Sequence, residues 1–114
     1  MTDEHQIDIP PSFVALYLDP GRTKPNASRQ VIGARYEFCE DLATMLTDHA
    51  RTMLFDLGIT EDDVLERCHR GLMVEASGVN GAESQWVVCR LAELLGWPIW
   101  HPDPGAAAGS EPVA

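Results

Sequence analysis

The sequence predicts an all-α protein, a small helical bundle built around one long helix, and three observations predict it. Apolar residues recur through 28–57 with alternating steps of four and three, the period of a helix that buries one stripe. Residues that can cap a helix N-terminus stand at Ser28, Thr60 and Asn80, each just ahead of an apolar-periodic run. Gly58 and Gly96 follow two of those runs, where a left-handed residue can close a helix.

Residues 1–9 are polar and read as a disordered N-terminus. Pro10-Pro11 then opens Ser12-Phe13-Val14-Ala15-Leu16-Tyr17-Leu18. Proline is tolerated in a first helical turn, and Phe13, Leu16 and Tyr17 fall at i, i+3, i+4, so a short helix is expected over about 11–18. Asp19-Pro20-Gly21 ends it with turn chemistry.

The long helix is expected over about 28–57, with Ile32, Tyr36, Cys39, Ala43, Leu46, Ala50, Met53 and Leu57 on its inner seam. A second row of Val31, Phe38, Leu42, Met45 and His49 widens the apolar face. A third helix is expected over about 61–75. Thr60 caps it, Asp63 reaches back in a variant capping box, and Val64, Leu65, Cys68 and Leu72 face inward. A fourth, antiparallel to the third, is expected over about 81–95. Asn80 and Glu83 pair at its start, and Val87, Val88, Leu91, Leu94 and Leu95 make its stripe. Together these elements define a single helical domain over 10–98, followed by a flexible tail over 99–114.

Helix lengths carry a consequence. Residues 28–57 span ~45 Å as a helix, and the third and fourth helices roughly 20–25 Å each. Joined by short loops, the latter two are expected to cover only the C-terminal half of the long one. The stripe around Tyr36, Phe38 and Leu42 then needs another cover, because apolar surface left in water is costly. Two covers are open: the short helix around Phe13, or a second protomer in a homodimer.

Composition narrows the function classes. The 114 residues carry eight Lys plus Arg against eighteen Asp plus Glu, a formal charge of −10. Such a field repels phosphate backbones and anionic lipid, which argues against nucleic acid and membrane as partners. No apolar run approaches the ~18 residues of a membrane span. Met1 to Pro11 carries Asp3, Glu4 and Asp8 without the apolar core of a signal peptide. Cys39, Cys68 and Cys89 are odd in number and widely spaced, the usage expected of reduced thiols in a cytoplasmic protein.

Motifs that carry chemistry are sparse. A phosphate loop needs Gly-x4-Gly-Lys-Ser/Thr, but the one lysine, Lys24, lies between Thr23 and Pro25. Cys39, Cys68, His69 and Cys89 could be imagined as zinc ligands, yet they lack the close pairing that structural zinc sites use. Their positions on inner stripes suit buried thiols instead. Glu61, Asp62, Asp63 and Glu66 lack the alternation of a calcium loop and sit where helix capping favours acids. Glu37, Glu40, Asp41 and His49 fall largely on the solvent side of the heptad, and Ser12, Ser28 and Ser84 have no His/Asp arrangement. No catalytic residue, cofactor or metal is therefore expected.

Two segments have more content as binding elements. Phe13, Leu16 and Tyr17 form a compact apolar motif that can lie in the groove of its own chain or of a partner. Trp97-Pro98-Ile99-Trp100 sets two tryptophans beside the domain's end, and tryptophan is over-represented in binding hot spots. With Tyr36, Phe38 and Leu42 on the long helix, these make the expected interaction set: Phe13, Leu16, Tyr17, Tyr36, Phe38, Leu42, Trp97 and Trp100.

Several stretches carry a resemblance. They are Ile9-Pro10-Pro11-Ser12-Phe13 through Pro20-Gly21-Arg22, Arg35 to Leu42, Gly58 to Cys68, and Arg90 to Trp97. Over residues 9–98 the chain resembles a set of short, uncharacterised proteobacterial proteins, some carrying the automatic label "ATPase with chaperone activity". Where that label implies ATP hydrolysis this sequence departs from it, having no phosphate loop. What the resemblance implies is either a shared gene context or a partnership with a chaperone ATPase.

The expected function is accordingly that of a non-enzymatic interaction or adaptor protein with an unknown protein partner, for which the resemblance suggests chaperone association. The alternative is a thiol- or metal-dependent regulator using Cys39, Cys68 and Cys89.

Overall fold

The computed structural model describes residues 8–101; the segments 1–9 and 99–114 expected at the ends fall mostly outside that range. Among the described residues the chain is all-α, a small bundle with one long helix. The element order is α1 (Pro11–Val14) with a 3-10 turn (Ala15–Tyr17), α2 (Arg29–Leu57), α3 (Glu61–Leu72), a second 3-10 turn (Glu75–Ser77) and α4 (Gly81–Leu95).

Caps set these boundaries. Ser28 accepts a hydrogen bond from the Val31 N–H at 3.1 Å, and Gly58 closes α2 in the left-handed conformation. Thr60 accepts from the Asp63 N–H, but the reciprocal half of a capping box is made only at α4. There the longer Glu83 side chain reaches the Asn80 N–H.

Helix α3 stops at Leu72, three residues short of the expected end. The Ser77 hydroxyl donates to the Leu72 carbonyl at 2.7 Å, pinning the connection under the helix end. That connection, residues 73–80, corrects the expectation about cover. It is not a tight turn: Val74 is extended, a 3-10 turn follows, and Gly78 reverses the chain at φ 85°. The connection carries the chain further down α2, so α4 starts level with Arg35 rather than with the middle of the long helix. The ion pairs Arg35–Glu83 and Arg90–Glu40 advance together along the two helices, so α4 runs in the same sense as α2. Hence α4, with α1, covers Tyr36 and Leu42 on the N-terminal half of α2 and leaves Phe38 exposed.

The core is one cluster drawn from every helix. Ile32, Cys39, Ala43 and Ala50 of α2 meet Val64, Leu65, Cys68 and Leu72 of α3 and Val87, Val88, Leu91 and Ala92 of α4. Small side chains on the α2 seam let the other helices approach closely, which is how a short chain reaches dense packing. The Phe13 ring fills the end of this core. It lies 5.0 Å from Trp86 and 5.6 Å from Tyr36, both edge-to-face, and 5.8 Å from Tyr17. Ser12 accepts a hydrogen bond from the Trp86 indole N–H, which fixes α1 against α4.

Candidate functional site

Most of the residues expected to bind are occupied inside the fold. Phe13 and Trp100 are buried. Leu16, Tyr17, Tyr36, Leu42 and Trp97 are half-buried and packed against the core. Trp100, which the sequence placed in the tail, lies with its ring 5.0 Å from that of His69, and its carbonyl accepts from the Cys89 thiol. Of the eight, Phe38 alone is exposed.

Phe38 belongs to a line that the structure leaves uncovered. Val31, Phe38 and Met45 follow one another at seven-residue steps along α2 and are 50%, 41% and 72% exposed. Of the row expected to widen the apolar face, Val31, Phe38, Met45 and His49 turn outward and Leu42 is half-buried. A seven-residue step returns a side chain to nearly the same angle, so the three form one ridge ~21 Å long. The Arg35 guanidinium rests 4.9 Å from the Phe38 ring centre and borders the ridge on its inner side. A β-carbon at Gly78 would come within 3.3 Å of the same ring, so the α3–α4 connection abuts Phe38 as well. On the other flank stand the exposed acids Glu37, Asp41 and Asp48. Helical geometry sets them about 80° round from the ridge.

Sequence reading missed the network beneath this ridge. Glu83 is 2% exposed, yet both its oxygens are satisfied. Oε2 accepts from the Arg35 Nε at 2.9 Å and the Tyr17 hydroxyl at 3.0 Å; Oε1 accepts from the Arg35 Nη2 at 2.8 Å and the Asn80 N–H at 3.0 Å. Burial alone would raise the Glu83 carboxyl. The bonds from Arg35, Asn80 and Tyr17 outweigh it and hold the group below its ordinary value. The Tyr17 hydroxyl is pushed up to about 12, first by burial and then by its bond to Glu83. A carboxylate with its lone pairs engaged this fully is poorly placed to move protons, so the cluster is a clasp joining α1, α2 and α4. Arg35 carried a usable signal: a charge three residues after Ile32 and four before Cys39 sits at the edge of the buried stripe and needs a partner.

A second clasp joins α2 to α4 further along. Arg90 donates from Nε and Nη2 to the Glu40 carboxylate and from Nη1 to Glu93. Glu40, expected on the solvent side, is thus drawn into the helix interface.

The cysteines sit apart from this chemistry. Burial pushes the Cys39 thiol up to about 12, with the Glu83 carboxylate adding to the rise and Arg35 opposing it. Burial also raises Cys68 and Cys89. Among the described residues no group of three or more His, Cys, Asp or Glu side chains is placed to hold a metal ion. One cavity of about 360 Å³ opens beside α1, lined by Asp8, Ile9, Val14, Pro25, Ala27, Arg29 and Ile32. Its charged lining is one carboxylate, Asp8, and one guanidinium, Arg29, with no thiol, hydroxyl or imidazole. Among the described residues no helix is long and apolar enough to cross a membrane.

No protein-family model, curated protein or solved structure matches the chain.

Proposed function

We propose that this chain is a non-enzymatic interaction protein that docks a protein partner on the ridge of Val31, Phe38 and Met45. One observation carries the reading. These three apolar side chains share one helical line and stand in water, although α1, α3 and α4 cover Ile32, Cys39, Ala43 and Ala50 on the same helix. Exposed apolar lines rimmed by charge are the usual mark of a protein-binding surface. The resemblance to proteins labelled with chaperone activity directs the search for the partner toward chaperone ATPases. The three free thiols, two of them buried, suit a reducing compartment such as the cytoplasm. Their raised pKa values weigh against the thiol-regulator alternative, since the thiolate is the reactive form.

Tyr36 and Leu42, two of the three residues that made a second protomer attractive, are packed within the chain, and we assign the remaining ridge to a different protein. Affinity purification with the wild-type chain and with the double variant Phe38→Ser, Met45→Ser tests the reading. A partner recovered with the wild type and lost with the variant, at unchanged helicity, is the expected result. Identical recoveries would refute it.

A further inference from the structure

The ridge and its acidic flank together specify what should sit on them. We infer that the occupant is a basic amphipathic helix of a partner protein, its apolar stripe on Val31, Phe38 and Met45 and its Lys or Arg residues against Glu37 and Asp41. This inference rests on the docking reading above and adds the chemistry of the partner.

Three observations point the same way. The ridge is straight and ~21 Å long, the length of about fourteen helical residues, so a helix of four turns matches it end to end. Its outer flank is acidic: Glu37 and Asp41 are exposed, one turn apart on the side of Phe38 away from the bundle. The inner flank holds Arg35, whose charge is neutralised by its two bonds to Glu83, so the face presented to a partner is apolar beside negative. A cationic flank on the incoming helix complements that face, and like charge there would be repelled.

The same pattern disfavours a second copy of this chain. Two α2 helices laid antiparallel, ridge on ridge, bring equivalent flanks together, so Glu37 and Asp41 would meet their own counterparts. Each copy also carries a formal charge of −10, and the long-range term opposes self-association before any contact forms.

The test places a photoreactive phenylalanine analogue at position 38 of the full chain, irradiates it in extract of the native cell, and locates adducts by mass spectrometry. Two double variants with the same charge change accompany it: Glu37→Gln with Asp41→Gln beside the ridge, and Asp62→Gln with Glu66→Gln on the exposed side of α3. The expected adduct falls on a helical segment with apolar residues at three- and four-residue spacing and Lys or Arg on one flank. Its yield should drop about fivefold in the ridge variant and change less than about twofold in the α3 variant, as loss of two rim ion pairs implies. An adduct on another copy of this chain overturns the inference, as does one on a segment without that basic flank or an equal drop in both variants. The last two leave the docking reading standing, whereas an adduct on another copy also overturns its assignment of the ridge to a different protein. Yields no higher than with the analogue at Arg67, an exposed position on α3, overturn both.

Discussion

Arg35 and Glu83, 48 residues apart in sequence, meet through two parallel hydrogen bonds of 2.9 and 2.8 Å, and this pair fixes where α4 begins along α2. A bidentate guanidinium–carboxylate contact sets direction as well as distance. Because Glu83 also caps its own helix and receives the Tyr17 hydroxyl, one side chain ties three elements. Glu83→Gln should lower unfolding free energy by about 2–3 kcal/mol, since it leaves Arg35 short of its counter-charge near the interior. Arg35→Lys should cost about 1 kcal/mol, keeping the charge and losing the second bond. Urea denaturation followed by circular dichroism at 222 nm measures both. Equal losses would argue against the bidentate geometry.

The clasp should also shape stability against pH at both ends of the scale. The Glu83 carboxyl lies below its ordinary value of 4.5 in the folded state. Its contribution is therefore complete above that value and lost as pH falls through the lower, folded one. The Tyr17 hydroxyl is raised from 10.0 to about 12. Its contribution is complete below pH 10 and lost as pH rises toward 12. Urea midpoints from pH 7 down to 2.5 should fall more steeply for the wild type than for Glu83→Gln. Absorbance at 295 nm should show both tyrosines titrating above their ordinary value, since burial and then Glu40 raise Tyr36 as well, and Tyr17→Phe should remove the later of the two.

Phe13→Ala should destabilise the protein by about 3–5 kcal/mol, as expected for a fully buried aromatic whose cavity cannot collapse. Near-ultraviolet circular dichroism should lose intensity as well, because Tyr36 and Trp86 are held in register by that ring. A loss below about 1 kcal/mol would show that α1 is not docked on its own chain.

Gly78→Ala should cost about 1–2 kcal/mol, since an L-residue is strained at φ 85° and its methyl presses on the Phe38 ring. Thermal melts of the single variant and of Gly78→Ala with Phe38→Ala separate the two causes. The steric part should vanish in the double variant and the backbone part persist.

Thiol labelling with an aromatic disulfide reagent at pH 8 should be slow for Cys39 and Cys68, which are buried and hold their protons. Half-buried Cys89 should react first among the three. Addition of urea should bring all three to full reaction. A rapid stoichiometric burst from Cys39 in the native protein would contradict its placement.

The bundle was legible in the sequence because its signals are local. Ser28, Thr60, Asn80, Gly58 and Gly96 act on their own backbone neighbours, and the stripes on α2 and α4 repeat within one helix. What was not legible depends on how far the α3–α4 connection reaches. Residues 73–80 contain Gly78 and Ser77, which read as loop, but nothing in them states that the loop extends along α2. That missing length changed two readings. It hid the meeting of Arg35 with Glu83, and it left Phe13 with no slot, so the N-terminal motif looked available to others. Val31, Phe38 and Met45 were misread for a related reason: a helical line of apolar residues shows amphipathicity, while its cover is decided by neighbours elsewhere in the chain.

The slot that holds Phe13 has walls from Tyr36 on α2 and Trp86 on α4, so it does not exist until those two helices lie side by side. Phe13 is consequently made well before the slot that receives it. Until Trp86 emerges and α4 docks, Phe13, Leu16 and Tyr17 have nowhere to go in their own chain. Between the synthesis of Phe13 and that of Trp86 the nascent chain presents an apolar hook, and completion of α4 withdraws it.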